Sequence, residues 1–236
     1  MSGYVAFVIV RDLFLWTQQT VAWLERAEGV RQIILIDNDS QYPRLLRWYK
    51  TIDHRVVRLG VNLGKRGPWQ SGTIERFAGD QPYIVTDPDI VPIPECPLDA
   101  FHVFAETLAL DPAIRKIGFS LKIDDLPDCY EFKDAVLLRS SQFLEPEKLT
   151  YDHRFFRAPV DTTMALYQPG VGYCTHPAFR SNMPYFARHL PWYMNSEKVP
   201  TDVLFYRHRA HHRFGHWAKK RLPPRLRDNL EKQLTR

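Results

Sequence analysis

A chain of 236 residues with 44% hydrophobic and 25% charged side chains can bury a full core, which excludes a disordered segment or a short disulfide-stapled peptide. Its three cysteines, Cys96, Cys129 and Cys174, form no CxxC pair, so neither a disulfide framework nor a zinc ribbon is expected and a reduced, cytoplasmic setting follows. The net charge of +5 comes from Arg207, Arg209, Arg213, Lys219, Lys220, Arg221, Arg225, Arg227, Lys232 and Arg236, set against Asp228 and Glu231 alone. The rest of the chain is mildly acidic.

Val5 to Val10 is a continuous β-type run and predicts a first strand. It is too short, and ends too soon at Arg11-Asp12, to read as a secretory leader, and no run reaches the roughly 18 apolar residues of a membrane span. From Leu13 to Arg26, Leu13, Leu15, Trp16, Val21, Trp23 and Leu24 fall mostly on one helical face, with Gly29 as the stop. Ile33 to Ile36 reads as a second strand running into Asp37-Asn38-Asp39-Ser40. A short helix over Pro43–Lys50, a third strand over Val56–Leu59, a helix over Ser71–Phe77 and a fourth strand over Tyr83–Val85 follow. Strands alternating with helices predict βαβ units and a mainly parallel sheet. After Pro92-Ile93-Pro94 comes a helix from Leu98 to Leu110, then a strand from Lys116 to Ile123. Proline, aromatics and loops dominate up to Tyr206. The expectation is one α/β domain over 1–206, with 1–95 as a nucleotide-binding half and 96–206 as an irregular acceptor half, followed by a basic amphipathic helical tail over 207–236.

Tyr83-Ile84-Val85 runs straight into Thr86-Asp87-Pro88-Asp89. Pro88 fixes its own φ and biases Asp87 toward extended geometry, so two carboxylates sit on a stiff segment at the carboxyl end of a strand, where open α/β sheets bind ligands. Hard oxygen donors there suit Mg²⁺ or Mn²⁺ carrying nucleotide phosphates; an ordinary polar turn is the alternative. Asp37 and Asp39 stand ready to accept hydrogen bonds from a base or ribose, and equally suit an Asx turn. Asn62-Leu63-Gly64-Lys65-Arg66-Gly67 is neither a P-loop nor GxGxxG. Its glycines still allow close backbone approach, and Lys65 and Arg66 supply two cations for a pyrophosphate; otherwise it is a surface loop. The β-rich run Arg157 to Tyr167 holds one acid, Asp161. An unpaired carboxylate in a buried strand is costly, so Asp161 is placed for catalysis or for a sugar hydroxyl, unless it pairs with Arg157 or Arg154. His189, before Pro191-Trp192, offers a nitrogen ligand to a metal held by carboxylates, or is a structural histidine. His208, His211, His212 and His216 have i,i+4 spacings, but the neighbouring arginines oppose a cation and the group reads as part of the tail.

Taken in order, these segments resemble the GT-A-fold glycosyltransferases, in particular the family-2-like bacterial enzymes that use nucleotide sugars. The likeness is carried by Asp37-Asn38-Asp39-Ser40, by Asn62-x-Gly64 with Gly72 downstream, and by Thr86-Asp87-Pro88-Asp89, within residues 1–95. It implies a Rossmann-like, mainly parallel central sheet flanked by helices, and a nucleotide sugar, UDP-linked by expectation, held by Arg11, Asp37, Asp39, Asn62, Lys65, Arg66 and Asp87. It further implies Mn²⁺ or Mg²⁺ on Asp87 and Asp89, with His189 completing the set. Asp161 is implied as the catalytic or acceptor-contacting acid, with Asp124, Asp125 and Asp202 competing. Arg11-Asp12 stands where the family usually has a Pro-x-Tyr-Asn-like segment. The Glu-Asp dyad of the inverting enzymes is missing, so the stereochemical course stays open.

The implied activity is a hexosyl transfer to a glycan or lipid-linked acceptor in bacterial surface polysaccharide synthesis. In the tail, Trp217, Leu222, Leu226 and Leu230 alternate with Lys and Arg, which fits either an anionic inner membrane face or a solvated terminal helix. A sugar-phosphate nucleotidyltransferase is the enzymatic rival, but Arg11-Asp12-Leu13 stands where its Gly-rich loop belongs. A nucleic-acid-binding module is the non-enzymatic rival; no recognisable motif accompanies the tail, so no nucleic acid partner is expected.

Overall fold

Six consecutive buried residues, Val5 to Val10, make β1 (Tyr4–Val10), and a strand shielded on both faces requires such an apolar run rather than an alternating one. The computed structural model describes residues 3–150 and 152–209; expectations for the tail beyond 209, its membrane face and His211, His212 and His216 included, lie outside the described residues. β1 pairs in parallel with β2 (Val30–Asp37) and β4 (Tyr83–Thr86), and β2 pairs in parallel with β3 (Arg55–Arg58). Beyond β4 the sheet turns mixed. β9 (Ala165–Tyr167) runs antiparallel between β4 and β6 (Lys116–Gly118), β10 (Ala178–Ser181) is parallel to β6, and β8 (Phe155–Arg157) closes the edge antiparallel to β10. The eight-stranded order is β3-β2-β1-β4-β9-β6-β10-β8. A second sheet sets β11 (Phe186–His189) between β5 (Ile90–Pro92) and β7 (Ser120–Leu121).

Because side chains alternate along a strand, the central sheet feeds two cores. Ala6, Val8, Leu35 and Ile84 face α1 (Phe14–Leu24) and α5 (Ala100–Leu110), where Trp23, Phe101 and Phe104 pack edge-to-face around Phe119. Val5, Phe7, Ile34, Ile36 and Val85 face Ile74 and Ala78 of α4 (Thr73–Ala78). Tyr83 and Tyr167 are register partners on β4 and β9 and stack with ring centroids 5.1 Å apart. A third cluster packs Leu13 and Trp16 against Trp192 and Val203, joining the start of α1 to α7 (Thr201–Arg209). The remaining helices are α2 (Pro43–Trp48), α3 (Gly67–Gln70) and α6 (Lys133–Ser140). Among the described residues no helix is long and apolar enough to cross a membrane.

Three local expectations change. The Lys116–Ile123 strand is two strands in two sheets: at Gly118 an added Cβ would lie 2.6 Å from Val160 Cγ1, and the chain turns there toward β7. The Ser71–Phe77 helix is interrupted by Gly72, whose φ of +68° separates α3 from α4. Arg157 to Tyr167 is not one strand; β8 and β9 flank a loop that carries Asp161, so this acid is not mid-strand.

Candidate active site

At the carboxyl end of β4 the chain enters Asp87-Pro88-Asp89. The Asp87 backbone N–H donates to Thr162 O (2.9 Å), and Thr162 Oγ1 returns a bond to Asp87 Oδ2 (2.6 Å). Thr20 Oγ1, from α1, donates to Pro88 O (2.9 Å) and holds the turn from behind. β5 then pairs antiparallel with β11, which sets His189 opposite Ile90, and Leu190 N–H donates to Asp89 O (2.9 Å). His189 Nε2 is thereby 3.4 Å from Asp89 Oδ2, and its ring meets Trp192 edge-to-face at 4.7 Å. Asp89 is buried, and its Oδ1 has no hydrogen-bond partner among the described residues.

A buried carboxylate oxygen without a donor is costly. Burial, and next the charge of Asp89, push the Asp87 carboxyl well above its ordinary range, against the opposing Thr162 bond. Asp87 and Asp89, with an imidazole nitrogen beside Asp89, supply donor types that a divalent cation such as Mg²⁺ or Mn²⁺ accepts. The three side chains meet in pairs rather than at one point: Asp87 turns toward Thr162, and among the described residues no three His, Cys, Asp or Glu side chains form a group that could hold a metal ion.

Across the cleft, Asp161 Oδ2 accepts from Lys65 Nζ (2.7 Å) and Oδ1 from Tyr173 OH (3.0 Å), while its backbone oxygen accepts from Lys116 Nζ (2.7 Å). The expected alternative partners are elsewhere: Arg157 lies over the Phe179 ring and Arg154 over Phe155. Lys65 and Asp161 are both about half exposed, so their pair contributes little to stability; it links the Asn62–Gly67 loop to the β8–β9 loop. Lys116 is fully buried, also bonds Tyr167 OH (2.8 Å), and burial lowers its pKa to about 8. Arg66 stacks over Tyr173. Arg180 is 8% exposed, donates from Nε to Pro159 O (2.7 Å), and covers Phe143 at 4.4 Å. Asp87, Asp161, His189, Arg139, Arg180 and Trp192 share one cleft of about 210 Å³. The competing acids are engaged outside it. Asp124 pairs with Lys122, and Asp125 with Arg188 and Tyr193. Asp202 is buried and accepts from Leu15 N–H at the start of α1 (2.8 Å).

At the ends of β1 and β2 the expected nucleoside contacts are separated. Asp37 is fully buried and accepts from Arg58 Nε (2.9 Å) and Ser40 N–H (3.1 Å), so its carboxylate serves the Asx turn and faces inward. Asp39 adopts φ +62°, and its Oδ2 accepts from Arg209 of α7 (3.1 Å); the same guanidinium reaches Asp12 Oδ2 (2.8 Å). Arg11 is half-buried nearby, its Nε without a hydrogen-bond partner among the described residues. Asn62 Oδ1 accepts from Gly64 N–H (3.0 Å) inside its own loop. Asn38 grips that loop, accepting from Leu63 N–H and donating to Gly64 O. The role of Asn38 was not singled out by sequence reasoning, nor were Thr162, Lys116, Arg180 or Arg209. Arg180 carried a usable signal, a lone cation in the run Ala178–Ser181, which is the kind of anomaly that drew attention to Asp161.

No protein-family model matches the chain, and no curated protein matches it. Solved structures similar to it include a mannosyltransferase from Pyrobaculum calidifontis in complex with GDP-Man and Mn²⁺ (16% identity, 70% of this chain, 44% of that one, TM-score 0.47). Residues 1–349 of TarS from S. aureus give 11% identity over 87% of this chain and 63% of that one, TM-score 0.46. A CMP:2-keto-3-deoxy-manno-octonic acid synthetase complexed with CTP gives 12% identity over 54% of this chain and 57% of that one, TM-score 0.39. The chain thus spans 44% to 63% of the length of these three solved chains.

Proposed function

We propose that this chain is a metal-dependent GT-A glycosyltransferase that moves a sugar from a nucleoside-diphosphate sugar, UDP-linked by expectation, to a glycan or lipid-linked acceptor in bacterial surface polysaccharide synthesis. The observation that carries the reading is Asp89: a buried carboxylate with an unsatisfied oxygen, next to Asp87 and facing His189, at the carboxyl end of a central parallel strand. Asp87, Asp89 and His189 are the residues that would hold Mn²⁺ or Mg²⁺. A bound cation of this kind offsets the negative charge that grows on a departing diphosphate.

The other residues divide by place. Lys65 and Arg66, on a loop gripped by Asn38, are within reach of a diphosphate, whose charge competes with Asp161 for Lys65. Drawing Lys65 away leaves Asp161 with Tyr173 and an oxygen open to the cleft. As a carboxylate it can then take the proton of an acceptor hydroxyl, or stand by the positive anomeric centre if the configuration is retained. Lys116 anchors the Asp161 backbone and so sets where that carboxylate points.

The test is thermal shift and calorimetry across nucleotide sugars with and without Mn²⁺. Stabilisation by UDP plus Mn²⁺ is expected, with loss of at least tenfold in affinity for Asp89→Ala and a smaller loss for His189→Ala. No nucleotide response at any metal concentration would sink the assignment. Binding of a nucleoside triphosphate with a sugar phosphate, and none of a nucleotide sugar as donor, would instead point to nucleotidyl transfer.

A further inference from the structure

Three cations, Lys65, Lys116 and Arg180, surround one carboxylate, Asp161. Lys65 takes that carboxylate. Lys116 is satisfied by neutral oxygens, the Asp161 carbonyl and the Tyr167 hydroxyl. Arg180 has only its Nε bonded, to Pro159 O; its terminal nitrogens have neither a hydrogen bond nor an ion pair among the described residues, and the residue lines the cleft. Arg180 is a residue only 8% exposed, and burial lowers its pKa to about 10 against the opposing charge of Asp161, so it stays charged at neutral pH while Asp161 is already bonded to Lys65 and Tyr173. Phe143 lies beneath the guanidinium at 4.4 Å and braces its plane, and a planar fork of N–H donors is the geometry that grips an oxyanion in two bonds.

We propose that the Arg180 end of the cleft is an anion subsite for a phosphate or carboxylate group carried by the acceptor. Position assigns it to the acceptor. In the order β4-β9-β6-β10, Arg180 stands three strands from Asp87, about 14 Å across the sheet at the usual strand spacing. Both residues line the same cleft, whose wall includes Leu121, Leu144 and Trp192. Arg139 lines the cleft as well. The assignment to an acceptor rests on the glycosyltransferase reading; the anion subsite itself does not.

The test is calorimetry on the full chain with glucose 6-phosphate and glucose as probes, in UDP and Mn²⁺. Glucose 6-phosphate is expected to bind at least tenfold tighter than glucose. That advantage should fall below threefold in Arg180→Gln and be partly kept in Arg180→Lys, with UDP–Mn²⁺ affinity unchanged in both. Equal affinity for the two sugars in the unaltered protein overturns the subsite, and this arm decides even if Arg180→Gln fails to fold. An advantage that survives in a folded Arg180→Gln protein overturns it too. Competition between glucose 6-phosphate and UDP-glucose would place the anion on the donor and overturn the acceptor assignment. If UDP with Mn²⁺ does not bind but the Arg180-dependent preference persists, the glycosyltransferase reading fails and the anion subsite stands.

Discussion

Replacing Lys116 by Met should abolish the pH dependence of one part of this protein's stability. Lys116 is fully buried, and its pKa falls from an ordinary 10.5 to about 8, chiefly because burial removes the ammonium from water. A depression of that size corresponds to roughly 3 kcal/mol. The unfolded chain keeps the proton up to about 10.5, while the folded chain releases it near 8. Between those values the unfolded state binds more protons, so raising the pH favours folding; below 8 the folded state carries the whole cost of the buried cation. Methionine fills similar volume without charge but abandons two bonds, to Asp161 O and Tyr167 OH, each contributing about 1 kcal/mol. Near neutral pH the two effects nearly offset and the variant should be about as stable as the parent. From pH 8 upward the parent should gain on the variant, by up to roughly 3 kcal/mol near pH 10.5. Urea unfolding of both proteins at a series of pH values reads this directly. Parallel stability curves would refute the account, because they would mean that Lys116 titrates alike in the folded and unfolded chain.

Thr162→Val removes the donor that holds the Asp87 charge, so the Asp87 carboxyl should need a higher pH to ionise. The midpoint of Mn²⁺-dependent UDP binding should rise by about half a unit or more, given about 1 kcal/mol for the lost bond; an unmoved midpoint counts against Asp87 as a ligand. Asp202→Ala should lower stability by about 1 kcal/mol through loss of the cap on Leu15 N–H, and Asp202→Asn by less, as measured by chemical denaturation; equal losses would mean that the acceptor oxygen is not what matters. Gly118→Ala should cost about 1–3 kcal/mol, since the new Cβ meets Val160 Cγ1 at 2.6 Å and Ala165 Cβ at 3.0 Å; a neutral effect would show that the β8–β9 loop can yield there.

The N-terminal half was legible because burial on both faces forces long apolar runs. β1, β2 and β4 announce themselves by composition alone, and each run stops where polar chemistry begins. The position of Asp87 and Asp89 at the carboxyl end of such a run was legible for the same reason. Asp37 looked identical in sequence to a crevice residue; only the partners Arg58 and Ser40 reveal that it faces inward. Asp161 misled in a different way. Val160, Thr162 and Thr163 favour strands, yet Pro159 cannot donate to a ladder and the segment bridges two strands instead of joining one. The nearness of His189 to Asp89 depends on the antiparallel pairing of β5 with β11, a contact between segments about a hundred residues apart that no local period encodes. Arg209 was read with the solvated tail, whereas it reaches back to Asp12 and Asp39 at the ends of the first two strands.

The two sheets explain why the candidate ligands and the candidate acid share a cleft at all. β6 belongs to the large sheet and β7 to the small one, and the chain changes sheets at Gly118-Phe119, where Phe119 N–H donates to Thr163 O and Ser120 N–H to Ser181 Oγ. The loop bearing Asp161 and Thr162 is therefore fixed from below by this corner, and Thr162 fixes Asp87 in turn. On the other side β7 supports β11, whose last residue is His189, and β11 supports β5, which begins just after Asp89. One corner thus positions both walls: the large sheet brings Asp87 and Asp161, and the small sheet brings Asp89 and His189. A junction of this kind limits independent drift of the two carboxylate sets, which the proposed sugar transfer would require. It also makes Gly118 a more telling position than its distance from any titratable group suggests, because a side chain there pushes on the Asp161 loop while leaving every candidate ligand chemically intact.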